Sequence, residues 1–335
     1  MTIDSTCRLS RRTTVCRLAD LGLAACVIGA ASPLRAQTRK RLASKVKIMI
    51  PGIARSNLDE AGRALGDTLV VLGLCDEIEY DNHDGKGGAS AATYFAGKYA
   101  RDPDALLMAD TSLFSSIALQ GAAVDLSLLN PIARITSDTL VVVVRSNSPI
   151  KTAADLGRML KSDPQMVQLG IGAVGGVDHV VAGLLAREAG APPAVSPFVP
   201  FARNFEFADA VAQGKLTAGV SGYRTFSADL ASGRLRAIGV SSRKEAYGIR
   251  PLRENGLNVD LANWRALYMG HGVPKSRQAE VVEAVRMAVN DESWKRTLRQ
   301  NYWDAAWLTG TDLATTLEID ISALQLAVRL LKLKG

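Results

Sequence analysis

The sequence predicts an α/β fold whose sheets are mostly parallel. Short apolar runs typical of strands alternate with longer segments whose apolar residues recur at helical spacing, and this alternation indicates parallel strands covered by helices. The run TLVVVVRS at 139–146 is apolar almost throughout, as in a strand buried on both faces. The chain has 335 residues, of which 47% are hydrophobic, so it can build a large core and two domains.

The first half of the chain opens on a predicted strand that ends at Pro51. Asn57 and Glu60 have the spacing of a capping box, and the residues that follow have the apolar pattern of a helix that closes at Gly73. The polar, glycine-rich stretch 82–90 predicts a loop, which is followed by a helix. The strands predicted in this half lie at 45–51, 77–80, 105–110 and 139–146.

The second half continues the same alternation. A strand at 166–172 leads through a glycine-rich turn into a helix that begins at Asp178 and ends before Gly190. Leu313 and Leu317 belong to an apolar stripe on the last helix. The other predicted segments are helices at 152–162 (capped by Thr152), 207–214, 276–300 and 311–332, and strands at 216–222 and 235–242.

Residues 1–36 have the features of a secretory signal peptide. Arginines precede a short apolar run at 21–33, and the small residue Ala36 stands before the predicted cleavage point. The apolar run is shorter than the ~20 residues that a membrane-spanning helix needs. We therefore expect an exported, periplasmic protein whose mature chain begins at Gln37.

Two features of this leader leave its processing open. The pair of arginines in SRR at 10–12 resembles a twin-arginine export signal, although Thr14 departs from the apolar residue expected there. Cys26 in LAAC resembles a lipid-attachment box, but Arg17 and Asp20 interrupt the apolar run before it. Cleavage without a lipid anchor is the favoured interpretation.

Composition excludes several classes of function. Removal of the leader lowers the formal net charge from +7 to +4, and no Lys/Arg cluster remains, so a nucleic-acid partner is not expected. Only Cys75 of the four cysteines lies outside the leader, so no intramolecular disulfide can form. The three histidines are scattered, and neither a metal site, a cofactor site nor a catalytic triad is predicted.

The glycine motif Gly170-x-Gly172-x-x-Gly175 has the spacing of a dinucleotide-binding turn. Such a site also needs an acidic residue at the end of the next strand, and the candidate strand at 194–201 has none, which argues against a nicotinamide cofactor. Two interpretations stay open. The glycines either allow a tight turn only, or they bring backbone N–H groups and a helix start close to a carboxylate ligand.

Eight stretches in order resemble the periplasmic substrate-binding proteins of the tripartite tricarboxylate transporter type, the Bug receptors. They run from about 46 to 310 and comprise IMIP with Asp59 and Arg63, YDNHDGKGG, LNPIARI, SPIKTAADL, GIGAVGGVDH, FVPF, ASGRLRAIGVSS, and ENGL with Trp264 and Pro274.

The resemblance implies a two-lobe, type II (Venus-flytrap) periplasmic-binding-protein fold with two crossing strands. The lobes would comprise 37–145 with 268–335 and 146–267, and would close as a monomer on a small carboxylate for delivery to membrane subunits of the transporter. The ligand would be held by loop residues of both lobes: Ile53, Ala54, Arg55, Ser56, Asn57, Asp59, Thr111, Ser112, Ala173, Val174, Gly175, Gly176, His179, Phe201, Arg203 and Asn204.

Arg55 and Arg203 depart from the family pattern, which tends to have glycine at both positions. One hypothesis is that the two arginines clamp a more anionic ligand; the alternative is that they point to solvent or narrow the cleft. The match favours a loop-ordering role for Asp59, and packing is the default interpretation of His179. Tyr223 and Arg224 fit a cleft lining and a solvated face equally well.

Three classes of function are compared: a transport receptor, with an orphan receptor as its variant, a signalling receptor and an enzyme. The sequence favours a non-enzymatic receptor that passes its ligand to a transporter. A receptor that reports its ligand to a two-component sensor kinase has the same sequence features, and so does an orphan receptor with an altered ligand. An enzyme on a related two-lobe fold would need catalytic groups, and none are predicted.

Overall fold

The computed structural model describes residues 41–85, 88–122 and 124–333. The predicted leader lies outside these residues. The ten strands are β1 Lys45–Pro51, β2 Glu77–His83, β3 Ala105–Asp110, β4 Leu129–Arg145, β5 Leu169–Ile171, β6 Phe198–Pro200, β7 Ala218–Gly222, β8 Leu235–Val240, β9 Ala262–Gly270 and β10 Asp304–Thr309. The helices are α1 Asn57–Val71, α2 Ala89–Lys98, α3 Thr111–Gln120, α4 Ala153–Ser162, α5 Val177–Glu188, α6 Asn204–Ala212, α7 Tyr223–Ala231, α8 Lys275–Asn290, α9 Glu292–Asn301 and α10 Gly310–Leu331.

The strands form one path in the order β2-β1-β3-β9-β4-β7-β5-β6, and β8 and β10 pair with β4 beside it. β1, β2 and β3 are parallel to one another, as are β5, β6 and β7, whereas β9 and β4 run antiparallel to their neighbours. β4 changes partners along its length: residues 129–139 pair with β9, and residues 140–145 pair with β7 or β8.

The partner change in β4 separates two lobes. The first lobe contains β1–β3, β9, β10 and the start of β4, with α1–α3 and α8–α10; the second contains β5–β8, the end of β4 and α4–α7. Both faces of each sheet are covered by apolar side chains, as the sequence of 139–146 predicts. β4 runs from the first sheet into the second, and the chain returns to the first lobe at the start of β9, where Ala262 pairs with Thr139.

Local signals in the sequence set several element boundaries. The predicted strands at 45–51 and 105–110 have the observed bounds. Thr152 forms the predicted cap of α4, with a complete capping box to Asp155. Gly73 and Gly190 follow the ends of α1 and α5 with positive φ angles of 69° and 81°, which a glycine adopts without strain.

Other predictions need correction. Ser56, not Asn57, caps α1, because the Ser56 hydroxyl accepts the N–H of Asp59. The predicted helix at 276–300 is two helices, because Asp291 adopts an extended conformation and caps α9 by accepting the N–H of Ser293. The strand predicted at 166–172 covers only Leu169–Ile171, after a short 3-10 turn. α3, α7, β9, β10 and the first half of β4 were not predicted.

Candidate ligand-binding site

Several helices begin directly after the carboxyl ends of the parallel strands, at the edge where the two lobes meet. α1 follows β1, α3 follows β3, α5 follows β5 and α7 follows β7. A helix start presents unpaired backbone N–H groups and a partial positive charge. This edge of the molecule is therefore suited to bind a small anion.

The first-lobe loop at 52–58 is organised by Asp59. The buried carboxylate of Asp59 accepts the N–H of Arg55 at 2.7 Å, Nε of Arg63 at 3.0 Å and Nδ2 of Asn82 at 2.9 Å. Burial alone would raise the pKa of Asp59, but the hydrogen bonds from Arg63, Arg55 and Asn82 outweigh it and hold the pKa below its usual value. Asp59 is thus ionised and fully engaged within its own lobe.

The same loop leaves donors available. Ile53, Ala54 and Arg55 are exposed, and Ser56 and Asn57 are partly exposed. Among the described residues, the N–H groups of Ile53, Ala54, Asn57 and Leu58 have no hydrogen-bond partner. The first-lobe loop therefore presents backbone donors toward its open side.

Arg55 has a left-handed backbone conformation, with φ of 66°. This conformation is costly for most residues and free of strain for glycine. The loop thus keeps a glycine-like turn although arginine occupies it. The side chain of Arg55 is exposed, so it can reach an anion at the loop.

The second-lobe turn at 172–177 satisfies most of its own N–H groups. Gly172 donates to Oδ2 of Asp178 at 3.1 Å, Gly175 donates to Nδ1 of His179 at 3.1 Å, and Gly176 donates to the Ala173 carbonyl at 3.0 Å. Gly175 has a φ of 83°, a conformation that suits glycine. Ala173 and Val174 are exposed, and their N–H groups have no partner among the described residues.

His179 is buried inside the second lobe. Its ring packs edge-on against Phe198, with the ring centroids 4.7 Å apart, and burial lowers the pKa of the imidazole to about 4. The ring is therefore neutral at neutral pH, and because Nδ1 accepts from Gly175, Nε2 carries the proton. Nε2 has no hydrogen-bond partner among the described residues.

Asp178 stands at the start of α5 without a cationic partner. Its Oδ2 atom accepts from the N–H of Gly172 and from the Ser221 hydroxyl, each at 3.1 Å. Burial raises the pKa of Asp178 to about 7; the bonds from Ser221 and Gly172 oppose the shift, and the neighbouring Asp138 and Asp110 add to it.

Arg265, on β9, is fully buried near the carboxylates of Asp110 and Asp138. It donates from Nη1 to Asp138 at 2.7 Å, and its guanidinium lies 4.2 Å from the ring centroid of Trp303. Nε and Nη2 have no hydrogen-bond partner among the described residues. Burial raises the pKa values of both Asp110 and Asp138, and Arg265 only partly offsets that effect.

The two lobes touch on both sides of the loops. Ser112 at the start of α3 accepts the N–H of Val177 at 3.2 Å, and Ser115 donates to the Gly175 carbonyl at 2.6 Å. On the other side, Arg224 of α7 forms an ion pair with Glu60 of α1. Contacts between the lobes thus adjoin both loops: Val177 closes the loop at 172–177, and Glu60 follows the loop at 52–58 by two residues.

Three tyrosines extend the contact on the Arg224 side. Tyr223 stacks on Tyr247 with ring centroids 4.3 Å apart and meets Tyr302 of the first lobe edge-on at 4.7 Å. The Tyr247 hydroxyl donates to the Tyr302 carbonyl at 2.9 Å. Sequence patterns do not reveal this cluster, because its members come from three separate segments.

The remaining predicted site residues take other positions. Thr111 is buried and joins β3 to β9, accepting the N–H of Trp264 and donating to the Ala262 carbonyl. Phe201 stacks on Phe207, with ring centroids 5.1 Å apart. Arg203 is largely exposed, pairs with Glu206 and lies over Phe205. Asn204 is the first residue of α6.

Among the described residues, no cluster of three or more His, Cys, Asp or Glu side chains could hold a metal ion. In the same part of the chain, no helix has the length and apolar character to span a membrane. A search of curated proteins finds no match.

Solved structures match the whole two-lobe architecture. MatC from Rhodopseudomonas palustris with bound malate aligns with a TM-score of 0.71 at 19% identity, over 85% of this chain and 98% of MatC. A second protein of R. palustris, solved with adipate, aligns with a TM-score of 0.72 at 17% identity, over 87% and 98%. The periplasmic binding protein BugD aligns with a TM-score of 0.72 at 15% identity, over 87% and 98%.

These matches confirm the predicted fold, a two-lobe periplasmic-binding-protein architecture with two crossing strands. Residues 74–318 also match the family model described as the tripartite tricarboxylate transporter family receptor. The matched segment covers well over half of the sequence and contains most of both lobes. The chain belongs to the tripartite tricarboxylate transporter family of receptors.

Proposed function

We propose that this protein is an extracytoplasmic solute receptor that binds a small organic carboxylate between its two lobes and delivers it to a tripartite tricarboxylate transporter. The observation that carries the proposal is the set of unpaired backbone N–H groups in the loops that lead into α1 and α5, one in each lobe. Family receptors act outside the cytoplasm, and relatives with the same fold were solved with malate and adipate.

The lobes we propose comprise 37–145 with 268–335 and 146–267; at their boundary, residues 140–145 pair with second-lobe strands and residues 262–267 with first-lobe strands. The middle of β4 and the segment that leads into β9 would act as the hinge between them, since the chain passes from one lobe to the other there. The contacts Ser112–Val177 and Glu60–Arg224 join the lobes in the described conformation, so ligand entry requires both to open.

The wider setting of this function is also a proposal. The leader at 1–36 would direct export, and the mature chain would act as a monomer beside the membrane subunits of the transporter. Neither a cofactor nor catalysis is part of this function, because the ligand needs only to be captured and released.

A thermal-shift panel of di- and tricarboxylates tests the proposal on the exported, mature protein. We expect at least one compound to raise the midpoint of unfolding, because a ligand that binds only the folded state stabilises it. The proposal fails if none of the compounds stabilises the protein and calorimetry detects no binding.

Charge substitutions in the two loops test where the ligand binds. Ala54→Glu and Ala173→Glu place a carboxylate at exposed loop positions, and the matched controls Ala54→Gln and Ala173→Gln add the same bulk without charge. We expect each Glu variant to bind the carboxylate about tenfold more weakly than its Gln control, at about 1.4 kcal/mol per decade. Equal affinities of the Glu and Gln variants would place the ligand elsewhere.

A further inference from the structure

A cavity separate from the two loops of the proposed site has a volume of about 790 Å³. Small-molecule sites in proteins typically measure ~300–1,000 Å³. None of the described residues that line this cavity belongs to the loops at 52–58 or 172–177, and Thr111 is the single lining residue among those predicted from the sequence to hold the ligand. The cavity is therefore distinct from the proposed carboxylate site.

Both lobes line this cavity, which we call the hinge cavity. It lies among α5 and the segment 253–261 of the second lobe, α10 of the first lobe, and residues 134–137 of β4. Ala262, which begins β9, also lines it, at the point where the chain returns to the first lobe. A molecule bound in the hinge cavity thus contacts both lobes beside the proposed hinge.

An apolar surface lines one part of the hinge cavity. On α10, Ile319, Ala323 and Ala327 recur every four residues, which places them on one face of the helix. Ile319 is 62% exposed, so a ligand that covers it removes apolar surface from water. The surface continues across the cavity onto Val180, Leu184, Leu261 and Trp264.

The charged side chains of the hinge cavity leave one cation in excess when both aspartates are ionised. Arg134 faces Asp320, with 3.9 Å between Nη1 and Oδ2, and Arg243 forms an ion pair with Asp260. Arg253 is exposed, and its guanidinium has neither an ion pair nor a hydrogen bond among the described residues. An arginine presents five N–H donors in a fork that matches a carboxylate.

The charged groups of the two lobes are close enough to interact across the hinge cavity. Burial raises the pKa of Asp320 on α10; the charge of Arg134 opposes the shift, and that of Asp260, from the second lobe, adds to it. One molecule of moderate length can therefore contact α10 and the segment 253–261 together.

We propose that the hinge cavity is a second binding site, which takes an amphipathic monoanion with a carboxylate head on an aliphatic chain. The head binds the guanidinium of Arg253, and the chain covers Ile319 and the apolar surface that includes Trp264. This site is additional to the carboxylate site between the loops and does not depend on it.

Calorimetry with octanoate tests the proposal on the mature protein, below the concentration at which octanoate forms micelles. Butyrate has the same head on a shorter chain, and octanol has a chain of the same length without the charge. Arg253→Gln removes the cation, and Arg253→Lys keeps it. Arg250→Gln is the matched control, because it removes an exposed arginine of the same segment that does not line the cavity.

A second pair of variants tests where the chain lies. Ala323→Phe fills the hinge cavity, and Ser322→Phe places the same ring on the adjacent exposed position, which does not line the cavity. Circular dichroism establishes that each variant is folded. Ala173→Glu, which adds a negative charge at the carboxylate site, shows whether octanoate binds there instead.

We expect the wild type to bind octanoate at least about tenfold more tightly than butyrate, because the longer chain buries more apolar surface, and more tightly than octanol, which lacks the charge. Arg253→Gln should weaken octanoate binding about fivefold or more, whereas Arg253→Lys and Arg250→Gln should keep most of the affinity. Ala323→Phe should abolish binding, and Ser322→Phe and Ala173→Glu should bind octanoate like the wild type.

Three results overturn the inference. The first is a wild type that does not bind octanoate, and the second is binding that stays unchanged in Arg253→Gln or in Ala323→Phe. The third is binding that is lost in Ala173→Glu and kept in Arg253→Gln, because octanoate then occupies the carboxylate site. This third result leaves the receptor function standing.

Discussion

Asp59 and Asp178 occupy corresponding places in the two lobes, each on the first turn of the helix that follows a loop of the proposed site. Asp59 accepts from Arg63, Asn82 and a backbone N–H, and its pKa is lowered. Asp178 accepts only from one backbone N–H and one hydroxyl, and its pKa is raised to about 7. Both stand at a favourable helix start, so their partners, and not the helix dipole, decide the direction of the shift.

The difference separates a carboxylate whose charge is neutralised by its partners from one that has no cationic partner. The charge of Asp59 is neutralised within its lobe, and the residue orders the loop at 52–58. Asp178 has no cationic partner, and its Oδ1 atom has no hydrogen-bond partner among the described residues. Substitutions at the two positions should therefore have opposite effects on stability.

Asp59→Asn should have the largest effect. The amide cannot provide both acceptor oxygens that bind Arg55, Arg63 and Asn82, so we expect a loss of about 2–4 kcal/mol in the free energy of unfolding. Urea denaturation at about pH 7 measures it. Asp67→Asn on the same helix is the control, because its amide oxygen can still accept from Tyr80.

The pH dependence of this loss follows from the lowered pKa of Asp59. The stabilisation is present above the unfolded value of 3.8 and disappears as the pH falls through the lower folded value. The gap between wild type and Asp59→Asn should therefore close in acid. A variant as stable as wild type at neutral pH, or a gap that persists in acid, would show that Asp59 does not order the loop through its charge.

Asp178→Asn should act in the opposite direction and less strongly. The folded pKa of about 7 exceeds the unfolded value of 3.8, so the wild type loses stability as the pH rises between these values. We expect the variant to be more stable than wild type at about pH 8, by at least about 1.4 kcal/mol, the equivalent of one pKa unit. Below about pH 4 the difference should vanish. Thermal unfolding across this pH range decides the matter, and a variant that is less stable at pH 8 would refute the assignment.

Arg55 should have the smallest effect on stability. Arg55→Gly relieves the left-handed conformation, but the unfolded glycine chain is more flexible, so we expect a change within about 1 kcal/mol. If Arg55 clamps the ligand, the same variant should bind it about tenfold more weakly. Arg55→Asn is the matched control, because asparagine tolerates this conformation without the charge. Unchanged binding in both variants would make Arg55 a bystander.

The fold was predictable where the signals are local. The apolar runs of β1 and β3 and the capping sequence at Thr152 determine their elements without help from distant residues. The first half of β4 contains Asn130, Pro131 and Arg134, and only its pairing with β9 and β10 makes it a strand. Such long-range pairing leaves no periodic pattern in the segment itself.

The helix starts at the proposed site were predictable from the sequence, but the charges around them were not. The glycine turn and the helix starts identify the loops, and the family resemblance pairs them across the lobes. An acidic residue at the start of a helix has the same local sequence whether or not a cation accompanies it. Ser221 lies 43 residues from Asp178, and Arg224 lies 164 residues from Glu60, so sequence patterns could not reveal these contacts.

Native mass spectrometry of the exported protein tests the central claim most directly. We predict a mature chain that begins at Gln37 and carries a bound small organic acid, which is released on unfolding and is absent from Ala173→Glu but retained by Ala173→Gln. An adduct that persists equally in both variants would contradict binding between the loops. A ligand-free wild type that binds no carboxylate when one is added would contradict the receptor function.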